Sequence, residues 1–382
     1  MRLKYYQNHI VITTIYMPQV IECLYDNLNK YGHLDSTCVW IVADKKTPFQ
    51  AKELCQSVSS NGLQVTYLDI EQQDSWGMKH KEFYSRIPYN NETRRNIGYL
   101  HALESGCERL ISIDDDNWPN DDDDFISLHG ITGSRFTGKL TSDNIKFHNV
   151  CEHLETKPSR HIYPRGFPFK LRDTKNTTKH SQSNPEAIIG VTAGLWTREP
   201  DIDAITWLNG NVESIRYTNQ NNIILHHDTW TPINTQNTSV IRSLIPAFFC
   251  IPMGNLVPGG RIERYGDIWA GYFLQAALQN TNFHVNIGRP IVEHRRNPHN
   301  YLDDLRHEYW GMLLTDWLTE LLKNEFQTAE SDICEVMFNM SDFLSATAVN
   351  KIPQWCPSEV VEFIRSTSAS IKEWIKVCKI IN

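Results

Sequence analysis

The sequence predicts an α/β fold, an open and mostly parallel sheet flanked by helices, followed by a C-terminal helical extension. Three observations point there. Continuous β-branched runs alternate with helix-length amphipathic stretches through the N-terminal part of the chain, the rhythm of right-handed βαβ crossovers. One such run, residues 109–113, leads directly into Asp114, Asp115 and Asp116. After Arg296 the apolar spacing becomes helical to the end of the sequence, as expected of helices that bury one face.

Residues 9–15 are β-branched and continuous, which predicts a strand covered on both faces. A helix is expected over 18–31, a strand over 38–43, a helix over 48–60 and a strand over 63–70. Residues 90–106 read as a helix with Asn91 or Thr93 as its cap and Gly106 as its stop. The strand over 109–113 then sets the acidic triplet at its carboxyl end, where open α/β sheets place their ligands. Residues 171–185, rich in Thr, Asn, Ser and Lys, read as a mobile polar loop. Order resumes over 187–196 and 245–275, and amphipathic helices are expected over 302–326, 331–344 and 358–381. The expected division is a sheet-based domain over 1–300 and a helical region over 301–382.

With 40% hydrophobic and 21% charged residues in 382 positions, the chain has a globular composition. Its formal net charge of −8 argues against general nucleic-acid binding, which needs clustered cations over a broad face. The short apolar run near the N-terminus reads as a buried strand, neither a signal peptide nor a transmembrane segment. Nine cysteines without a CxxC pair give no disulfide framework or zinc ribbon, and a cytoplasmic location is expected. Sequons at Asn91, Asn176, Asn237 and Asn339 are read as chance matches.

Three adjacent carboxylates repel one another unless a cation or a proton sits among them. Hard oxygen donors select Mn2+ or Mg2+, and such an ion completes its shell with water and phosphate oxygens. Asp114 and Asp116 are therefore the candidate metal ligands, with Asp114 and Asp115 close to a bound diphosphate. The run from Asp121 to Asp124 lacks a preceding apolar strand and reads as solvated surface. His294 ends a short strand-like run and could be a further ligand or a hydrogen-bonded core residue. Asp267 could be a base, could hold sugar hydroxyls, or could pair with nearby Arg264. Arg94, Arg95, Arg165 and Arg172 are candidate phosphate-binding cations, since the planar guanidinium pairs with phosphate oxygens. Thr13, Thr14, Asp44 and Asp69 stand at the ends of the first three strands, where a nucleoside docks in such a sheet.

Six motifs in order give a more specific signal: SIDDDNWP at 112–119, YPRGFPFKLR at 163–172, GLWTREPDIDA at 194–204, IPMGNL at 251–256, RYGDIWAG at 264–271 and HRRNP at 294–298. Together they resemble the reversibly glycosylated polypeptides, which include the UDP-arabinopyranose mutases, within the GT-A class of glycosyltransferase folds. The resemblance implies a GT-A-like sheet, a Mn- or Mg-bound diphosphate at the DDD motif and a UDP-sugar as substrate. It also implies that Arg165 takes part in reversible sugar attachment, that Arg172 is needed beside it, and that His294 and Asp267 match the family's own His and Asp. The chain departs from the family pattern at Gly266, where a second acidic residue is usual, before Asn90, and after Phe326. The added helical segment is of the kind that shapes an acceptor site or a homo-oligomer contact.

The leading expectation is thus a metal-dependent glycosyltransferase that takes a nucleotide-diphosphate sugar as donor, with an acceptor the sequence does not specify. A pyranose/furanose mutase of a UDP-sugar is the alternative, and a non-catalytic sugar-nucleotide-binding subunit is the reading from another class. A cytidylyltransferase is set aside, because the loop after the first strand, TTIYMP, has no glycine-rich phosphate cradle.

Overall fold

The structure is a computed structural model, and it describes all residues except 1–4, 175–177, 184–185 and 220. Strands β1 (Asn8–Thr14), β2 (Thr37–Ala43), β3 (Gln64–Leu68) and β4 (Arg109–Ile113) run parallel, with β1 between β4 and β2, and β3 beyond β2. Helices α1 (Val20–Tyr31) and α2 (Gln50–Ser60) make the first two crossovers. α1 stops at Gly32, whose φ of 79° closes the helix in the left-handed region that glycine tolerates. β1 and β4 are almost wholly buried, as strands covered on both faces of a parallel sheet are.

The sheet continues with β5 (Ile188–Arg198), β6 (Asn237–Ile241) and β7 (Phe283–His294), in the order β7-β5-β6-β4-β1-β2-β3. β6 runs antiparallel between β4 and β5, while β7 is parallel to β5. Two consequences follow for the site. Because β6 begins where β4 ends, Thr235 and Gln236 lie beside the acidic triplet, and the Asp114 N–H donates to the Gln236 carbonyl at 3.1 Å. At its far end β7 pairs with the short strand Asn117–Pro119, setting His294 opposite Asn117 and next to Asp116.

Several elements differ from the sequence reading for local reasons. Asp69 does not extend β3; it caps helix α3 (Ile70–Gly77), accepting from the Gln72 N–H while Gln72 bonds back to the Asp69 N–H. The stretch 90–106 is a 3-10 turn, Glu92–Arg94, capped by Asn91, followed by helix α4 (Arg95–Glu104). The expected loop over 171–185 instead contains a strand, Thr178–Ser183, antiparallel to Lys139–Asp143; its parts at 175–177 and 184–185 lie outside the described residues. The segment 245–275 resolves into a small hairpin, Asn255–Val257 with Gly260–Ile262, and helix α5 (Gly266–Ala277).

Helices α6 (Tyr301–Glu325), α7 (Ile333–Ala346) and α8 (Ser358–Ile381) follow the expected amphipathic runs. They share one continuous buried core with the sheet, from Ile10 to Cys378. α8 docks through Trp374, which stacks on Phe249 at 5.0 Å and donates from its indole to the Pro246 carbonyl at 2.8 Å. Among the described residues no helix is long and apolar enough to cross a membrane.

Candidate active site

The carboxyl ends of β1 and β4, the start of β6 and the end of β7 enclose two adjoining cavities. One is lined by Thr13, Thr14, Tyr16, Asp44, Asn91 and Asp115. The other is lined by Arg165, Asp201, Arg264, Asp267, His294 and Arg296. Glu92, Arg95, Asp114 and Asp116 line both and form the junction between them.

At the junction Arg95 is almost fully buried and donates to Asp114 at 2.7 Å, with further bonds to the Thr235 and Glu92 carbonyls. Burial raises the Asp114 pKa, and neighbouring Asp116 adds to that against the pull of Arg95. Burial likewise raises Asp115 to about 7, although a hydrogen bond from Thr14 works the other way. Asp116 differs: burial is outweighed by His294 and by hydrogen bonds from Asn297 and Asn117, and its pKa falls.

His294 Nε2 lies 3.6 Å from Asp116 Oδ2, while its Nδ1 donates to the Glu199 carbonyl at 2.6 Å. Burial opposes charge on this ring, but Asp116 and Asp201 prevail and its pKa is raised. The bond to Glu199 fixes the tautomer that turns Nε2 toward Asp116, the arrangement a metal-ligating histidine needs. Asp114, Asp116 and His294 are two carboxylates and an imidazole that line the same cavity, donors of the kind that suit a divalent ion. Among the described residues no three such side chains gather closely enough to hold an ion unaided. An ion there would need other oxygen donors, such as water, to complete its shell.

The candidate arginines separate. Arg165 uses all five of its N–H donors, to both oxygens of Asp201, both oxygens of Asp267 and the Arg264 carbonyl. It lines the cavity but holds two aspartates in place, with no donor left over for phosphate. The partner of Asp267 is thus Arg165, not Arg264. Arg172 donates to Asp203 at 2.6 Å and lies over the Phe169 ring at 3.7 Å, outside the residues lining either cavity. Arg94 is fully buried against Gln73 and Tyr84, with Asp44 at 3.9 Å, and also does not line the cleft. Asp69 pairs with Lys52 at 3.1 Å and lines a separate depression, outside both cavities.

Besides Arg95 and the fully engaged Arg165, the cleft is lined by Arg264, which the sequence reading named only as a possible partner of Asp267, and by Arg296, which it did not single out. Asp304 accepts from Arg296 and lies 3.4 Å from Arg264, whose Nε donates to the buried Glu308 at 3.1 Å. Both acids sit four residues apart on α6, on one face of the helix. The departure at Gly266 has a steric cause, since a Cβ there would lie 2.3 Å from the Ile251 carbonyl oxygen.

A family model described as reversibly glycosylated polypeptide matches residues 67–382. Curated relatives include UDP-arabinopyranose mutase 2 of Arabidopsis thaliana, 30% identical over 42% of this chain and 39% of that protein. UDP-arabinopyranose mutase 1 of Oryza sativa subsp. japonica is 27% identical over 44% of this chain and 43% of that protein. The matches thus span about two-fifths of the length of these relatives. Among solved structures, glucosyl-3-phosphoglycerate synthase from Mycobacterium tuberculosis, in complex with Mn2+ and UDP-glucose, gives a TM-score of 0.39 at 10% identity, covering 81% of this chain and 79% of that one. The mannosyltransferase PcManGT from Pyrobaculum calidifontis, in complex with GDP-Man and Mn2+, gives 0.38 at 10% identity over 99% and 74%. Superpositions that loose add nothing to the reading of the site.

Proposed function

Because the chain belongs to the reversibly glycosylated polypeptide family, we propose that the cleft is the active site of a metal-dependent enzyme that breaks the sugar–phosphate bond of a nucleotide-diphosphate sugar. The observation that carries this is the junction of Arg95, Asp114 and Asp116 between the two cavities. The nucleoside enters the cavity with Thr13, Thr14 and Asp44, the diphosphate lies across the junction, and the sugar reaches the cavity of Asp267 and His294. Asp114, Asp116 and His294 would hold Mn2+ or Mg2+, which when bound supplies charge neutralisation for the departing diphosphate. Arg95, Arg264 and Arg296 stabilise the same developing charge from fixed positions, which costs no reorganisation during the reaction.

Glycosyl transfer to an acceptor hydroxyl is the first reading. The two arginines that the mutase reading relies on are committed elsewhere: Arg165 to Asp201 and Asp267, Arg172 to Asp203. The names of the curated relatives support the second reading, interconversion of a UDP-pyranose with its furanose form. Incubation with UDP-arabinopyranose and Mn2+, followed by chromatography of the nucleotides, separates the two. Release of UDP that increases with an acceptor extract supports transfer. A furanose product with UDP-sugar conserved supports the mutase. Nine unpaired cysteines, seven of them buried, fit a reducing compartment, and the cytosol is the proposed location.

A further inference from the structure

The carboxylates lining the sugar cavity can be sorted by what already holds them. Asp114 accepts from Arg95. Asp116 is held by Asn117, Asn297 and His294. Asp201 and Asp267 share four of the five donors of Arg165. Glu92 is different: among the described residues its carboxylate makes no hydrogen bond or ion pair with another residue, and its one hydrogen bond is to its own backbone N–H, with Arg95 and Arg264 acting on it only through their charge. It rises from the 3-10 turn Glu92–Arg94, which is fixed on one side by Asn91 and on the other by the bond from Arg95 to the Glu92 carbonyl. Its side chain is exposed to the cleft and lines both cavities at their junction.

We infer that Glu92, not Asp267, is the proton acceptor for the hydroxyl that attacks the sugar. This rests on the transfer reading of the cleft. The acceptor oxygen forms a bond to the anomeric carbon, the bond from that carbon to the diphosphate oxygen breaks, and the diphosphate leaves with the electron pair. The hydroxyl proton goes to the Glu92 carboxylate. A carboxylate with both oxygens in a bidentate arginine pair, as at Asp267, is a poor proton acceptor. A carboxylate without such a partner keeps its basicity.

The test uses the full chain with Mn2+ and UDP-arabinopyranose, UDP-glucose and GDP-mannose as probes, first for binding by thermal shift and then for nucleotide release with water as the acceptor. Glu92→Gln is expected to keep the wild-type binding shift and to lower kcat by about 10²–10⁴-fold, the usual range for a general base, with KM within about threefold. Formate is expected to restore part of the rate to Glu92→Ala and none to Asp267→Ala, a response a purely structural role would not give. Glu92→Gln at wild-type kcat, or formate rescue of Asp267→Ala alone, overturns the assignment while the transfer reading stands. A wild type that binds the probes and releases nothing overturns both.

Discussion

At Arg165 the guanidinium is enclosed by Asp201 and Asp267, and all three side chains are buried. Removing one member of such a group strands uncompensated charge and costs about 3–5 kcal/mol. Arg165→Met is therefore expected to lower the urea midpoint sharply, and adding Asp201→Asn and Asp267→Asn is expected to recover much of that loss. A single substitution that abolishes turnover at unchanged stability would instead give Arg165 a direct contact with substrate. Asp114, Asp115 and Asp116 could be found from sequence because an apolar strand runs straight into them, which fixes their place at a sheet end. The roles of Arg165, Glu92 and Arg264 could not, since each depends on which distant residue supplies its partner. For Arg165 those are Asp201 and Asp267, from separate segments; for Glu92 what matters is that no other residue takes its carboxylate. Arg296 had a weak signal in its neighbourhood, the HRRNP motif that also holds His294.

Helix α6 connects the helical part of the chain to the chemistry. Asp304 and Glu308, one turn apart, hold Arg264, and Asp304 also holds Arg296 and His299. Asp304→Asn is expected to weaken donor binding about tenfold, or 1.4 kcal/mol, by letting both arginines move, and titration of a nucleotide-diphosphate sugar by thermal shift measures it. Unchanged affinity would mean that Arg264 and Arg296 do not meet the diphosphate. Further along the same helix, burial and the nearby Lys146 lower the Lys323 amine from 10.5 to about 7, over the Trp230 ring at 4.1 Å. Between those two values the unfolded chain holds the proton more readily than the folded one, so stability from this group is least below pH 7 and rises as the pH is raised. The stability difference between Lys323→Met and wild type should therefore narrow from pH 7 to pH 9 in urea titrations; a constant difference would mean the amine is not perturbed. Amphipathic periodicity located α6 to within a residue or two, but which face meets the cleft follows from packing against α5 and the hairpin, which periodicity does not encode. The strand Thr178–Ser183 was missed for a related reason: its polar residues carry no apolar alternation, and it forms by pairing with Lys139–Asp143.

The molecule is built around one buried core that includes β1, α5 and α8 alike. Trp374 on α8 is fully buried against Phe249, so Trp374→Ala is expected to cost about 3–5 kcal/mol and to lower a single unfolding transition. Two separate transitions would show that the helices and the sheet fold as independent units. The parallel half of the sheet could be read from the sequence because its strands are short apolar and β-branched runs that alternate with helix-length stretches. The antiparallel insertion of β6 could not, because its residues, NTSVI, look the same in either direction. That insertion is what brings Thr235 and Gln236 against the acidic triplet and closes the cleft. In the proposed function this cleft binds a nucleotide-diphosphate sugar through a metal held at Asp114, Asp116 and His294. The most direct measurement is the thermal shift produced by UDP-sugars with and without Mn2+, on the wild type and on Asp116→Asn. At a hundredfold excess over Kd the account predicts about 2.7 kcal/mol of added stability, present with Mn2+ and lost in Asp116→Asn. A wild type whose stability is unmoved by any nucleotide-sugar with Mn2+, or an Asp116→Asn variant that shifts as the wild type does, would contradict it.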